Sequence, residues 1–244
     1  MGRLQLAVRA YPRRSPLTFA YVCLLLLTHV WVESVLPADN SAVLLHHVST
    51  NLDNLTDHPL SALFGSALFF DGTLTDVESS SFASTFITLG IGVACCLAWL
   101  EYRLGTTRAF GAFLAGHIGA TLLTALVITA ALGQGWYPES VRQASDFGVS
   151  YGAQAVMGAA TALLPRRARL PWAVFVLGWP LGGADWSGPL PDFTTVGHLL
   201  AAGIGFALAP LAAGRARTRQ RPRAGADRPG ADRPAAPSAD AGRP

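Results

Sequence analysis

Arginine clusters alternate with long apolar runs along this chain, and that alternation constrains the fold more than any other feature. An apolar run needs about 20 residues to cross a bilayer as a helix. Six runs qualify, at 17–36, 81–99, 110–132, 146–164, 169–185 and 193–213. Arg3, Arg9, Arg13 and Arg14 precede the first. Arg103 and Arg108 separate the second from the third, and Arg166, Arg167 and Arg169 separate the fourth from the fifth. Arg215, Arg217, Arg219, Arg221 and Arg223 follow the sixth. The other connections are acidic or nearly neutral, and 37–80 contains no arginine. Folding the chain back and forth six times puts every cluster on one side. The positive-inside rule then makes both termini cytoplasmic. The charged fraction of 14% is well below the roughly 25% of soluble domains. These features predict an all-α membrane protein of the cell membrane, with the lipid bilayer as its solvent, and nothing points to nucleic acid.

The domain organisation follows. Residues 1–16 form a cytoplasmic N-terminus and 17–213 a six-helix membrane domain. The Arg/Pro/Ala/Asp-rich tail 214–244 has no apolar period and is expected to be disordered. Arg13-Arg14 before an apolar run also fits a signal peptide, but the run is long and "VLPADNSA" cleaves poorly, so an uncleaved helix is the better reading. Within the outer loop 37–80, "HPLSALFGSALFFDG" (58–72) is apolar yet too short to span, and predicts a segment lying in the interface. "NLT" at 54–56 has the spelling of a glycosylation sequon. Cys23, Cys95 and Cys96 lie in apolar runs without metal-ligand spacing and read as buried small residues.

Depth sorts the polar residues inside the runs. At about 1.5 Å per residue, Ser150 lies about 6 Å below the outer end of the fourth run, and His198 about 8 Å below that of the sixth. A serine and a histidine on different helices at one depth are what a Ser–His dyad requires. The alternative is packing, since Gly148, Ser150, Gly152 and Gly158 are small enough to let a neighbouring helix approach. His117 counts to the cytoplasmic side, about 20 Å from the level of Ser150, and reads as a polar contact between helices. His29 and Glu33 are one turn apart and read as a satisfied pair. Asp146 reads as the N-cap of the fourth helix.

The stretches "GVSYG" (148–152), "GHLLAAGIG" (197–205) and "LEYRLGTTRAF" (100–110), set in six spans with both ends inside, resemble the rhomboid intramembrane serine proteases, especially the divergent rhomboid-like proteins of actinobacteria. The resemblance covers about residues 17–213. It implies Ser150 as nucleophile and His198 as general base, hydrolysing peptide bonds of membrane-anchored clients near the outer face. It further implies that Gly148 permits tight packing, and that Gly203 and Gly205 press the sixth helix onto the fourth. No metal or organic cofactor is implied. The sequence departs from the family in three places. Tyr151 follows the serine where glycine is usual, and Gln154 stands where a tyrosine often packs on the base. The second span, "SSSFASTFITLGIG", lacks the histidine and asparagine that help hold the oxyanion. Ser84, Thr85 and Thr88 stand at about the right depth to donate instead. These departures keep open a second expectation, a catalytically inactive rhomboid-like protein that binds transmembrane clients.

Overall fold

The computed structural model describes residues 3–186 and 188–220. Among them every regular element is helical. The helices are α1 (Arg3–Arg14), α2 (Pro16–Ser34), α3 (Ala38–Val48), α4 (Leu52–Asp57), α5 (Pro59–Gly65), α6 (Ser80–Leu104), α7 (Thr106–Gly133), α8 (Val149–Ala160), α9 (Arg166–Gly182) and α10 (Phe193–Gln220). The stretch Phe86–Leu97 of α6 is wound as a π-helix.

Four helices are long and apolar enough to cross a membrane: Pro16–Ser34, Ser80–Leu104, Thr106–Gly133 and Phe193–Ala212. The fourth and fifth expected spans are shorter. Helix α8 has 12 residues, about 18 Å against a hydrocarbon core of about 30 Å. It starts at Val149 because residues 144–148 descend into the fold as extended chain and a turn. The outward faces carry exposed Leu27, Val30, Leu126, Leu170 and Val174, which suits lipid rather than water.

Helix α8 is the axis of the bundle. All its side chains from Tyr151 to Ala160 are buried. A helix apolar on every side must be enclosed, and the enclosure here depends on glycine. Gly92 of α6 lies against Ala153, Gly116 of α7 against Ala155, and Gly205 of α10 against the Ala155 backbone. A Cβ on Gly205 would fall on the Ala155 carbonyl oxygen. Gly152 leaves room for the Phe113 ring. Gly203 is a correction: a Cβ there would meet nothing within 4 Å. It stands about 140° around the helix from His198, off the face that Ala201, Ala202 and Gly205 bury. Helix α9 is tied to α8 by two hydrogen bonds, from Gln154 Nε2 to the Val176 carbonyl (2.5 Å) and from Trp172 Nε1 to the Met157 carbonyl (2.9 Å).

The Arg-rich end is organised by Glu101, only 3% exposed. Its carboxylate accepts from Leu17 N (3.2 Å), Thr18 N (2.9 Å), Thr18 Oγ1 (2.6 Å) and Thr106 Oγ1 (2.7 Å). It thereby satisfies the free N–H groups at the start of α2 and ties α2, α6 and α7 together. Gly105 makes the turn between α6 and α7 at φ 90°, which disfavours any side chain. Glu101→Gln removes one charge-assisted acceptor and should lower stability by about 2 kcal/mol, measured by thermal unfolding in detergent. An unchanged melt would exclude this role.

The structure adds to some sequence expectations and revises others. Residues 3–14 form a helix packed on α6 through Tyr11, whose hydroxyl donates to the Ala94 carbonyl at 2.8 Å. Helix α10 continues past 213 to Gln220, with Pro210 inside it. The remainder of the expected tail, 221–244, lies outside the described residues. His29 does not pair with Glu33 and instead stacks on Phe70, with centroids 4.5 Å apart. Asn54 is buried and donates to the His46 and Ser49 carbonyls, so the sequon does not present its acceptor nitrogen.

Candidate active site

Asp192 starts the helix that carries the histidine. Its carboxylate accepts from Thr195 N (2.9 Å), Thr194 Oγ1 (2.5 Å), Thr195 Oγ1 (2.7 Å) and Asp185 N (3.0 Å). This is an N-cap reinforced by hydroxyls. Burial pushes its pKa up, but the hydrogen bonds from Thr194 and Thr195 outweigh burial and hold it below the usual carboxylate range. A depressed folded-state pKa adds stability that is present above the unfolded value, about 3.9, and is lost as pH falls through the folded value. Asp192→Asn should therefore flatten the loss of stability below about pH 4, read from melting temperature against pH. An unaltered profile would exclude the cap.

One turn into α10, His198 Nδ1 lies 2.7 Å from the Thr194 carbonyl. A carbonyl only accepts, so Nδ1 carries a proton, and in the neutral imidazole Nε2 keeps its lone pair. The imidazole also meets the Tyr151 ring edge-on at 5.1 Å. Tyr151 is fully buried, and Gly197 leaves room for its ring. The aromatic support expected at position 154 thus comes from position 151, which the sequence marked only as a departure.

Ser150 is in the first turn of α8, half-buried, and its Oγ donates to the Phe147 carbonyl at 3.2 Å. Among the described residues no hydrogen bond joins Ser150 to His198. Both line one cavity of about 230 Å³. Ser84, Thr85 and Thr88 of α6 line it from another side, together with Phe70, Asp71, Asp146 and Phe147. The five polar residues singled out for chemistry therefore surround one space. Thr85 is the most buried of the three α6 hydroxyls and has no hydrogen-bond partner. Gly72 leaves that hydroxyl its room. A second cavity, about 200 Å³ between α6, α7 and α10, is lined mainly by Leu and Ala and has no nucleophile.

One depth estimate and one cap assignment are corrected. His117 is not remote from Ser150: its imidazole lies against Gly148, and Nε2 is 2.5 Å from the Leu63 carbonyl. The count failed because α8 starts deep. Measured from the Arg-rich end, His117 stands about 16 Å along α7 and Ser150 about 15 Å along α8. Asp146 is not the cap of α8; Gly148 holds that position without a side-chain bond. Asp146 Oδ1 accepts from Phe147 N (2.9 Å), and its carbonyl accepts from Thr50 N (3.0 Å). It joins the 37–80 loop to the cavity. Asp71 also reaches the cavity, and nothing in the local sequence placed it there.

His117, Thr121 and Thr124 recur on one face of α7. Their Nδ1 and Oγ1 atoms, with the Tyr151 hydroxyl, are buried outside strict hydrogen-bond geometry, the hydroxyl facing the Asp146 carboxylate and Thr124. A void of about 10 Å³ bordered by Thr121, Thr124 and Asp146 has the volume for one water, and ordered water is the usual partner of such groups.

A sequence-family model described as rhomboid-like protein matches residues 10–218. The chain belongs to that family, and with its apolar helices it is a membrane protein. No curated protein and no solved structure matches it.

Proposed function

We propose that this rhomboid-like protein is an intramembrane serine protease that cleaves membrane-anchored clients with Ser150 as nucleophile and His198 as general base. The observation that carries the reading is the shared cavity: a serine and a histidine on different helices open onto one space, with the histidine's Nδ1 held by the Thr194 carbonyl so that Nε2 is the nitrogen left for the base role. Six crossings with both termini on the Arg-rich, cytoplasmic side accompany it, α8 and α9 being the short ones.

In the reaction, the Ser150 hydroxyl leaves the Phe147 carbonyl and turns to His198 Nε2. Oγ then attacks the client carbonyl carbon as its proton passes to Nε2. The C–N bond breaks, and the imidazolium returns the proton to the departing amine. Water repeats the sequence on the acyl ester and restores the serine. Ser84, Thr85 and Thr88 are the side-chain donors for the oxyanion in place of the absent histidine and asparagine.

A second reading, a client-binding protein without proteolysis, draws on the engagement of Ser150 Oγ with Phe147 and on an α6 wall whose only polar groups are hydroxyls. A fluorophosphonate probe separates the two. It should label the folded protein in detergent and leave Ser150→Ala and His198→Ala unlabelled. A folded preparation that never labels would favour the binding reading.

A further inference from the structure

The cavity that holds Ser150 and His198 also holds two carboxylates, Asp71 and Asp146. Asp71 is exposed and Asp146 half-buried. The ion pair among the described residues joins Arg142 to Asp53, so neither cavity carboxylate is paired with an arginine; Asp146 has only the imidazoles of His198 and His117 within electrostatic reach. Arginine is also absent from the whole 37–80 loop that delivers Asp71. Negative charge as deep as that of Asp146 is costly without a full counter-charge, and inside a membrane protein an ionisable group is a functional position by default.

Thr85 gives an independent sign that the space is built for an occupant. It is 6% exposed, lines the cavity, and its hydroxyl has no partner in the chain. Its Oγ1 opens onto the cavity rather than being sealed within the protein, a hydrogen-bonding group placed where an occupant can reach it. A volume of about 230 Å³ is below the roughly 300–1,000 Å³ of small-molecule sites. It suits one side chain and the peptide unit that bears it. Among the described residues no three His, Cys, Asp or Glu side chains are grouped to hold a metal ion, and a basic side chain is a cation that two carboxylates pair with directly.

We infer that this cavity selects clients carrying an arginine or lysine beside the peptide bond it receives, the cationic side chain lying between Asp71 and Asp146. This rests on the reading of the cavity as the client site. It adds the class of client: a transmembrane segment with a basic residue near its outer end, where the positive-inside rule makes such residues uncommon. A rare feature is a useful discriminator, because most membrane helices then lack it. Arginine reaches both carboxylates better than lysine, since its planar fork offers five donors in fixed geometry.

The test uses synthetic single-span peptides of about 20 apolar residues in dodecylmaltoside micelles. They carry Arg, norleucine or Glu at one position, scanned across the outer end. Cleavage and binding are both measured, the latter by fluorescence anisotropy on Ser150→Ala protein. At one position, Arg should exceed norleucine by about tenfold or more and Glu should fall below it, as expected for a charge meeting complementary or like charge in a partly desolvated site. In Asp71→Asn with Asp146→Asn, the Arg-to-norleucine ratio should approach one. Arg-selective binding without cleavage would keep this inference and remove the protease reading. Cleavage with no Arg preference at any position would do the reverse. Selectivity that survives both Asn substitutions would overturn the inference.

Discussion

Gly205→Ala is expected to lower stability by about 3 kcal/mol, while Gly203→Ala, two residues earlier on the same helix, should raise it by up to about 1 kcal/mol. The two differ in what a methyl group would meet. At Gly205 it falls on the Ala155 carbonyl oxygen, with Ala155 Cα 3.0 Å away. Backbone of an enclosed helix cannot turn aside as a side chain can, so α10 must move off α8. Gly158 meets the same stretch from the other side, since a Cβ there would lie 2.8 Å from the Ala202 carbonyl oxygen. Gly203 faces open space, where alanine gains helix propensity and displaces nothing. Thermal unfolding of both variants in one detergent reads the sign directly. Equal destabilisation would mean that α10 presents a different face to α8.

That pair also shows how far the sequence was readable. Counting from His198, positions 201, 202 and 205 share its face and 203 does not, so helical periodicity alone separates the two glycines. Treating "AAGIG" as a block of small residues loses that distinction. The Arg clusters were legible because charge sidedness is a property of the whole chain and does not depend on exact helix ends. Depth does depend on them. Ser150 and His198 enter from the same side, so shared errors left them at one cavity. His117 was counted from the opposite end, and the late start of α8 at Val149 moved it to the wrong level. Asp71 reaches the cavity through a loop that extends from α5 to α6. Contacts of that range leave no local pattern. Tyr151 was visible as an unusual neighbour of the serine, but that its ring would face His198 depended on the rotation of α8 relative to α10.

His198→Ala should lower kcat for a cleaved client by about 10²–10⁴, the usual share of a positioned general base. Thr85→Val should lower it by about 10²–10³, or about 2.7–4 kcal/mol of transition-state stabilisation. The second figure is the more informative, because α6 offers three hydroxyls and only their surroundings rank them. A donor is most effective in a dry site, already aimed and without another partner. Thr85 is buried and unpartnered, Thr88 is half-buried, and Ser84 is exposed to solvent. Water competes for an exposed hydroxyl and replaces it when it is removed. Ser84→Ala should therefore cost less than about tenfold, with Thr88→Val between the two. Valine keeps the shape of threonine, so a folded Thr85→Val protein tests the hydroxyl and not the packing. If Thr85→Val raises KM and leaves kcat unchanged, the hydroxyl binds the client's ground state, and the oxyanion must be held by the backbone N–H groups near Ser150. If Ser84→Ala proves the most costly, the cavity closes over α6 when a client enters, and the exposed serine becomes the enclosed one.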